Sequence, residues 1–178
     1  MATKKTQKIP KPNAPLPAAL TPPAPLTVLH ALSADRINLH LTAAGREGVL
    51  RELVGLVVPP HEAKWRETLF EALKAREDLC PTCVSEGIAI PHSRNALVGL
   101  VDHAVLAYGR HPGGVEYGAL DQKPIHHFFL LCAPNVRDHL QLLSRLARLL
   151  NQPGFRPALE QARDATSVLA LVQQYETP

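Results

Sequence analysis

Three short apolar runs, Gly87 to Ile90, Val101 to Tyr108 and Ile125 to Cys132, lie between two pairs of amphipathic helical segments, and this order leaves few folds open. Each run is bounded by proline, glycine or polar turn residues and is too short for a buried helix, so each is predicted to be a strand. Before them, residues 46 to 58 place Val49, Leu50, Leu53, Val54 and Val57 on one helical face, and Pro59-Pro60 stops that helix. A second helix, from about 61 to 76, repeats Trp65, Leu69, Phe70 and Leu73 at spacings of three and four. Its Glu62, Lys64, Arg66, Glu67 and Glu71 are left for water. After the strands, residues 137 to 150 read as a helix with Leu140, Leu143, Leu146, Ala147 and Leu150 inward and Asp138 complementing the positive end of the dipole. Asn151 to Pro157 breaks it. A last helix, Thr166 to Tyr175, buries Val168, Leu169, Leu171, Val172 and Tyr175 behind a cap at Asp164 or Thr166. The whole predicts a mixed α/β domain.

Residues 1–25 do not share this periodicity. They hold seven of the 17 prolines and four lysines without an acid, which reads as a flexible, basic, proline-rich tail ahead of a domain over residues 26–178. The net charge of +3 therefore resides in the tail, and without its lysines the chain stands at −1. A nucleic-acid partner is not expected, because phosphate binding asks for a basic stripe on the folded part. No run approaches eighteen apolar residues, so no membrane insertion is expected, and the proline-broken N-terminus lacks the apolar block of a secretory signal. The expected address is cytoplasmic, in keeping with an odd count of three cysteines.

Cys80-Pro81-Thr82-Cys83 has the CxxC spacing, yet a structural zinc site needs a second ligand pair and the chain offers only Cys132 besides. A dithiol site would open a helix after the first strand of a βαβ unit, so these read as free thiols. Nine histidines are many, but none shows HExxH or HxH spacing. His103 and His111 fall near strand ends, and alternation along a strand sends His126 and His127 to opposite faces. Neither a metal nor another cofactor is expected.

Gly87-Ile88-Ala89-Ile90-Pro91-His92 is a different matter: a strand ends in a proline that cannot continue the ladder and hands a histidine to the strand's carboxyl end. Open α/β sheets bind ligands there. His139, within Arg137-Asp138-His139-Leu140, opens a helix whose amides are suited to an anion. Arg76 ends the second helix sixteen residues before His92 and adds a guanidinium fork. Two imidazoles and an arginine without a metal pattern suggest phosphate handling.

These segments resemble the enzyme IIA domains of the bacterial sugar phosphotransferase system (PTS), in the fructose, mannitol and nitrogen-regulatory class. Leu69 to Leu73, Ala75-Arg76-Glu77 and Gly87 to His92 are similar to that family's arginine-bearing helix and phosphoacceptor signature. His139-Leu140-Gln141-Leu142-Leu143 matches the second family histidine, Asp121 to Pro124 before Phe128 the turn and strand, and Asp164 to Glu176 the last helix. The resemblance covers roughly residues 33 to 176. It implies a mixed central β-sheet flanked by helices in three layers.

It also implies that His92 accepts a phosphoryl group from the phosphohistidine of an HPr-type carrier protein, that His139 and Arg76 are its neighbours, and that Thr82 helps to bind phosphate. The loop from Cys80 to Gly87 departs from the glycine-rich nitrogen-type pattern, Ser93 replaces a usual glycine, and Glu86 lies six residues before His92. The leading reading is a free-standing phosphoryl carrier with a regulatory role. The alternatives are an IIA component of sugar uptake with separate IIB and IIC chains, and a regulatory binding module that acts on partner proteins without being phosphorylated.

Overall fold

The computed structural model describes residues 26–84, 87–93 and 101–176. The tail, Glu86 and Arg94 lie outside them. The chain opens with a short helix, α1 (Val28–Ala31), and an edge strand, β1 (Leu32–Asn38), followed by two long helices, α2 (Gly45–Val57) and α3 (Ala63–Leu79). Two short strands, β2 (Cys83–Val84) and β3 (Ile88–Ala89), lead to the long pair β4 (Val105–Val115) and β5 (Ile125–Cys132). Three helices close the chain: α4 (Val136–Leu150), α5 (Phe155–Gln161) and α6 (Ala165–Tyr175).

The five strands form one mixed sheet in the order β1-β4-β5-β3-β2. β1 runs parallel to β4 and β3 parallel to β5, while β4–β5 and β2–β3 are antiparallel. Residues 105–108 of β4 and 128–132 of β5 are apolar without interruption because both of their faces are covered. On one face Leu106, Tyr108, Phe129 and Leu131 pack with Val28 of α1, Leu142 and Leu146 of α4, Phe155 of α5 and Val168 of α6. On the other, Val105, Ala107, Phe128 and Leu130 pack with Val49 and Leu53 of α2 and with Leu69, Phe70 and Leu73 of α3. Each such fully buried side chain contributes about 1.5–3 kcal/mol. The result is the expected three-layer arrangement.

Several local expectations are corrected. β1 was not expected as a strand, because Leu-Ser-Ala-Asp-Arg-Ile-Asn has too few apolar residues to show a period; pairing with β4 makes it one. The second long strand is not Val101 to Tyr108 but Val105–Val115, continuing through Pro112-Gly113-Gly114 by a shift of register. Asn151 to Pro157 breaks the chain for only a few residues before α5 begins at Phe155. Trp65, placed inward by periodicity, is 38% exposed in the first turn of α3. Leu140 is 58% exposed, and Leu142 and Leu149 take the buried positions of α4. Residues 136–140 form its first turns, where His139 reaches the His92 ring, and Val136 and Leu140 find no layer to bury against there.

Candidate functional site

His92 stands where the sheet ends. Gly87 takes φ +74°, a left-handed backbone that glycine adopts without strain, and turns the chain into β3. Ile88 and Ala89 pair in parallel with His127 and Phe128 of β5, and the Leu131 amide donates to the Pro91 carbonyl at 2.9 Å. His92 itself makes a single bridge to Leu131. Pro91 has no N–H to give, so β3 ends at Ala89, pairing with β5 continues only through the Pro91 carbonyl and the His92 bridge, and the imidazole is carried on a fixed stem.

The ring is further pinned by its own backbone. His92 Nδ1 lies 2.7 Å from the Ile90 carbonyl oxygen, and since a carbonyl only accepts, Nδ1 carries the proton. That assignment leaves the Nε2 lone pair as the reactive end. His139, in the first turn of α4, brings its ring to 5.2 Å from that of His92, centroid to centroid, with planes tilted by 54°. α4 starts there because Asn135 caps it, its side chain accepting from the Asp138 amide at 2.9 Å.

Both imidazoles are held below the ordinary value of 6.5. For His92 burial dominates, opposed by the hydrogen bond to Ile90 and reinforced by the positive charge of Arg76. For His139 burial again leads, followed by His92. Two rings this close that both resist protonation do not form an ion pair with each other.

Arg76 lies in the last turn of α3, within the electrostatic reach of His92, and its Nη1 donates to the Cys80 carbonyl at 2.7 Å. It takes part in no ion pair among the described residues. Thr82 is placed differently from the expectation that it meets phosphate: it is buried, its hydroxyl donates to Glu77 Oε1, and its amide donates to Glu77 Oε2 at 2.8 Å. Its carbonyl in turn accepts from the Ile90 amide at 3.0 Å. A hydroxyl that spends its one proton on a carboxylate has only lone pairs left for a phosphate, so Thr82 belongs to the support of the loop.

Glu77 was not singled out from the sequence, although the signal was there. Continuing the stripe Leu69, Leu73 by four residues lands on Glu77, which is fully buried. Burial raises its carboxyl above the ordinary range against the two Thr82 hydrogen bonds and Arg76, which lower it. The carboxylate thereby ties the end of α3 to the loop that precedes β3.

The CxxC cysteines are free, and the Cys83 thiol is pushed up to about 11 by burial, then by Glu77. A thiol so protonated is a poor metal ligand or nucleophile near neutrality. Among the described residues, no three His, Cys, Asp or Glu side chains are grouped to hold a metal ion, and no helix is long and apolar enough to cross a membrane.

The comparisons with known proteins identify the fold that carries these residues. The family model described as "Phosphoenolpyruvate-dependent sugar phosphotransferase system, EIIA 2" matches residues 30–175. The PTS system fructose-specific EIIABC component of Bacillus subtilis is 30% identical over 153 residues, which are 85% of this chain and 24% of that protein. This chain thus spans about a quarter of the length of that relative. The crystal structure of the nitrogen regulatory protein IIA-Ntr from Neisseria meningitidis superposes with a TM-score of 0.70 at 30% identity, covering 82% of this chain and 98% of that one. The complex of enzyme IIA-Mtl and phosphorylated enzyme IIB-Mtl from Escherichia coli shares the fold, with a TM-score of 0.68, 24% identity and coverage of 80% and 97%. With most of its length matched to one family model, and its fold shared with IIA-Ntr, the chain belongs to the EIIA type 2 family of the phosphoenolpyruvate-dependent sugar phosphotransferase system.

Proposed function

We propose that the protein is a histidine phosphoryl carrier in which His92 Nε2 takes a phosphoryl group from the phosphohistidine of an HPr-type donor and passes it on. The observation that carries this reading is the Nδ1 hydrogen bond to Ile90, which fixes the ring and leaves Nε2 as the unprotonated nitrogen. In the transfer step the Nε2 lone pair attacks phosphorus, the donor's N–P bond breaks, and its electron pair returns to the donor imidazole. Little covalent chemistry is asked of the protein beyond position and charge. His139 borders the transferred group, and Arg76, one hydrogen bond from the Cys80 carbonyl, supplies positive charge to its equatorial oxygens. Val136 and Leu140, exposed beside His139, suit the apolar part of a protein partner's docking surface.

The likeness to IIA-Ntr supports a regulatory role, with a regulated protein as the second partner. Onward transfer to a IIB protein is the sugar-uptake alternative. Incubation with a phosphorylated HPr-type donor, followed by intact mass and acid treatment, tests the carrier: one acid-labile phosphoryl group is expected. No gain of mass under conditions that label a known IIA protein makes this chain a binding module that works without phosphorylation. Addition of a IIB protein then separates uptake from regulation by loss of the label.

A further inference from the structure

At the end of the sheet away from His92 the strand pairing is interrupted. Arg110 pairs with His127 and Val115 with Ile125, so His111 to Gly114 have no counterparts on β5. The amides of His126 and His127 both donate to the single Gly87 carbonyl, at 2.8 and 3.1 Å. Both departures are bulges, and bulges redirect side chains. Strict alternation would part the two imidazoles; instead His126 and His127 line one cleft of about 530 Å³ together with His40, Arg110, His111 and Glu160. Gly114 takes φ +71°, and a Cβ there would fall 2.7 Å from His126 Cε1, so the bulge closes over that ring only with glycine. Along β5 the cleft lies four residues, roughly 13 Å, behind the Leu131 that bridges His92.

The chemistry of the lining is specific. Arg110 donates from Nη1 to the Leu159 and Glu160 carbonyls, at 3.4 and 2.8 Å. Among the described residues its hydrogen bonds end there, so Nε and Nη2 remain for another acceptor. His126 Nδ1 donates to the His111 carbonyl at 3.2 Å, and His111 Nδ1 is buried with no hydrogen-bond partner among the described residues. His127 is pushed down to about 4, chiefly by burial and then by the positive charges of Arg110, His126 and Arg156. Glu160 contributes the one carboxylate, exposed at the rim. A guanidinium with imidazoles fits a phosphoryl group, a carboxylate beside them accepts hydroxyl protons, and the volume falls among those of small-molecule sites.

From this we propose a second site: the cleft binds a small hydroxylated organic phosphate of sugar-phosphate size, its phosphoryl group on Arg110 and the imidazoles and its hydroxyls on Glu160. The site is separate from His92 and does not depend on phosphoryl transfer.

Titration of the full chain with glucose 6-phosphate, followed residue by residue by NMR, tests it. Saturable shifts at Arg110, His111 and His126 are expected in the wild-type protein and equally in His92→Ala. Inorganic phosphate should bind about tenfold more weakly and glucose not at all. Arg110→Gln should weaken binding about tenfold. Because Arg110 also holds the end of α5, His40→Gln, on an exposed residue outside both cores, is the second variant, with an expected loss of about threefold. Shifts confined to His92 and His139, equal binding of glucose, unchanged affinity in both variants, or no saturation at millimolar concentration overturns the proposal. Nickel chloride broadening these histidine signals while glucose 6-phosphate leaves them unmoved overturns it in favour of a metal.

Discussion

The rings of His92 and His139 lie 5.2 Å apart although the residues come from different elements, one on the stem that leaves β3 and the other in the first turn of α4. The pair links the sheet to the helix layer, and burial is the main cause that lowers the pKa of each ring.

His92→Ala is expected to abolish acid-labile phosphorylation while costing about 1 kcal/mol or less of stability, because the half-buried ring belongs to neither core. Intact mass and a urea melt read the two quantities. Stoichiometric labelling of the variant would assign the acceptor to another residue.

The same variant has an electrostatic signature. His92 contributes to the lowering of His139, so in His92→Ala the His139 pKa should rise toward 6.5 while burial still holds it below. An NMR titration measures it, and an unchanged or lower value means that the rings do not sense each other. In the proposed transfer the neutral His92 ring acts as the nucleophile, and its pKa is depressed. The rate of phosphoryl acceptance should therefore be flat above pH 6.5 and decline only below it.

Arg76→Lys retains the charge and loses the planar fork and its bond to the Cys80 carbonyl. Acceptance should slow by about a hundredfold with little change in melting temperature. Wild-type rates in a stopped assay would leave Arg76 as an ordinary helix-terminal charge.

Glu77→Ala removes the acceptor for both the Thr82 amide and the Thr82 hydroxyl inside the protein. Two buried donors without partners cost about 2–4 kcal/mol, and Glu77→Gln, which keeps one oxygen, should cost less. Denaturant midpoints that do not move would mean that the carboxylate is no latch.

His127 is buried and its pKa is pushed down to about 4, below the ordinary 6.5. As pH falls the unfolded chain takes the proton first, so stability is full above 6.5 and is lost progressively down to 4. The loss is on the order of 3 kcal/mol. His127→Asn, which still offers the Tyr108 hydroxyl a partner near Nδ1, should flatten stability between pH 6.5 and 4.5 in parallel urea melts. An equally steep loss in the variant would place the acid sensitivity elsewhere.

Local sequence alone determined the elements whose signal is periodic or covalent: the faces of α2 and α6, the apolar run of β5, the Asp164 cap before α6, and the proline that delivers His92 to the end of the sheet. It also carried Glu77 in plain sight on the stripe of α3, hidden only by the habit of reading glutamate as solvated. Tertiary structure decided the rest. β1 is a strand because β4 offers it an edge, not because Leu32 to Asn38 prefers one. The Thr82 hydroxyl is bonded to a buried carboxylate, and Leu140 is exposed where the first turns of α4 reach His92. His126 and His127 share a cleft because two bulges override alternation. Periodicity describes a chain next to its own neighbours in sequence; register, burial of charge and the meeting of His92 with His139 depend on partners dozens of residues away, and only packing selects those.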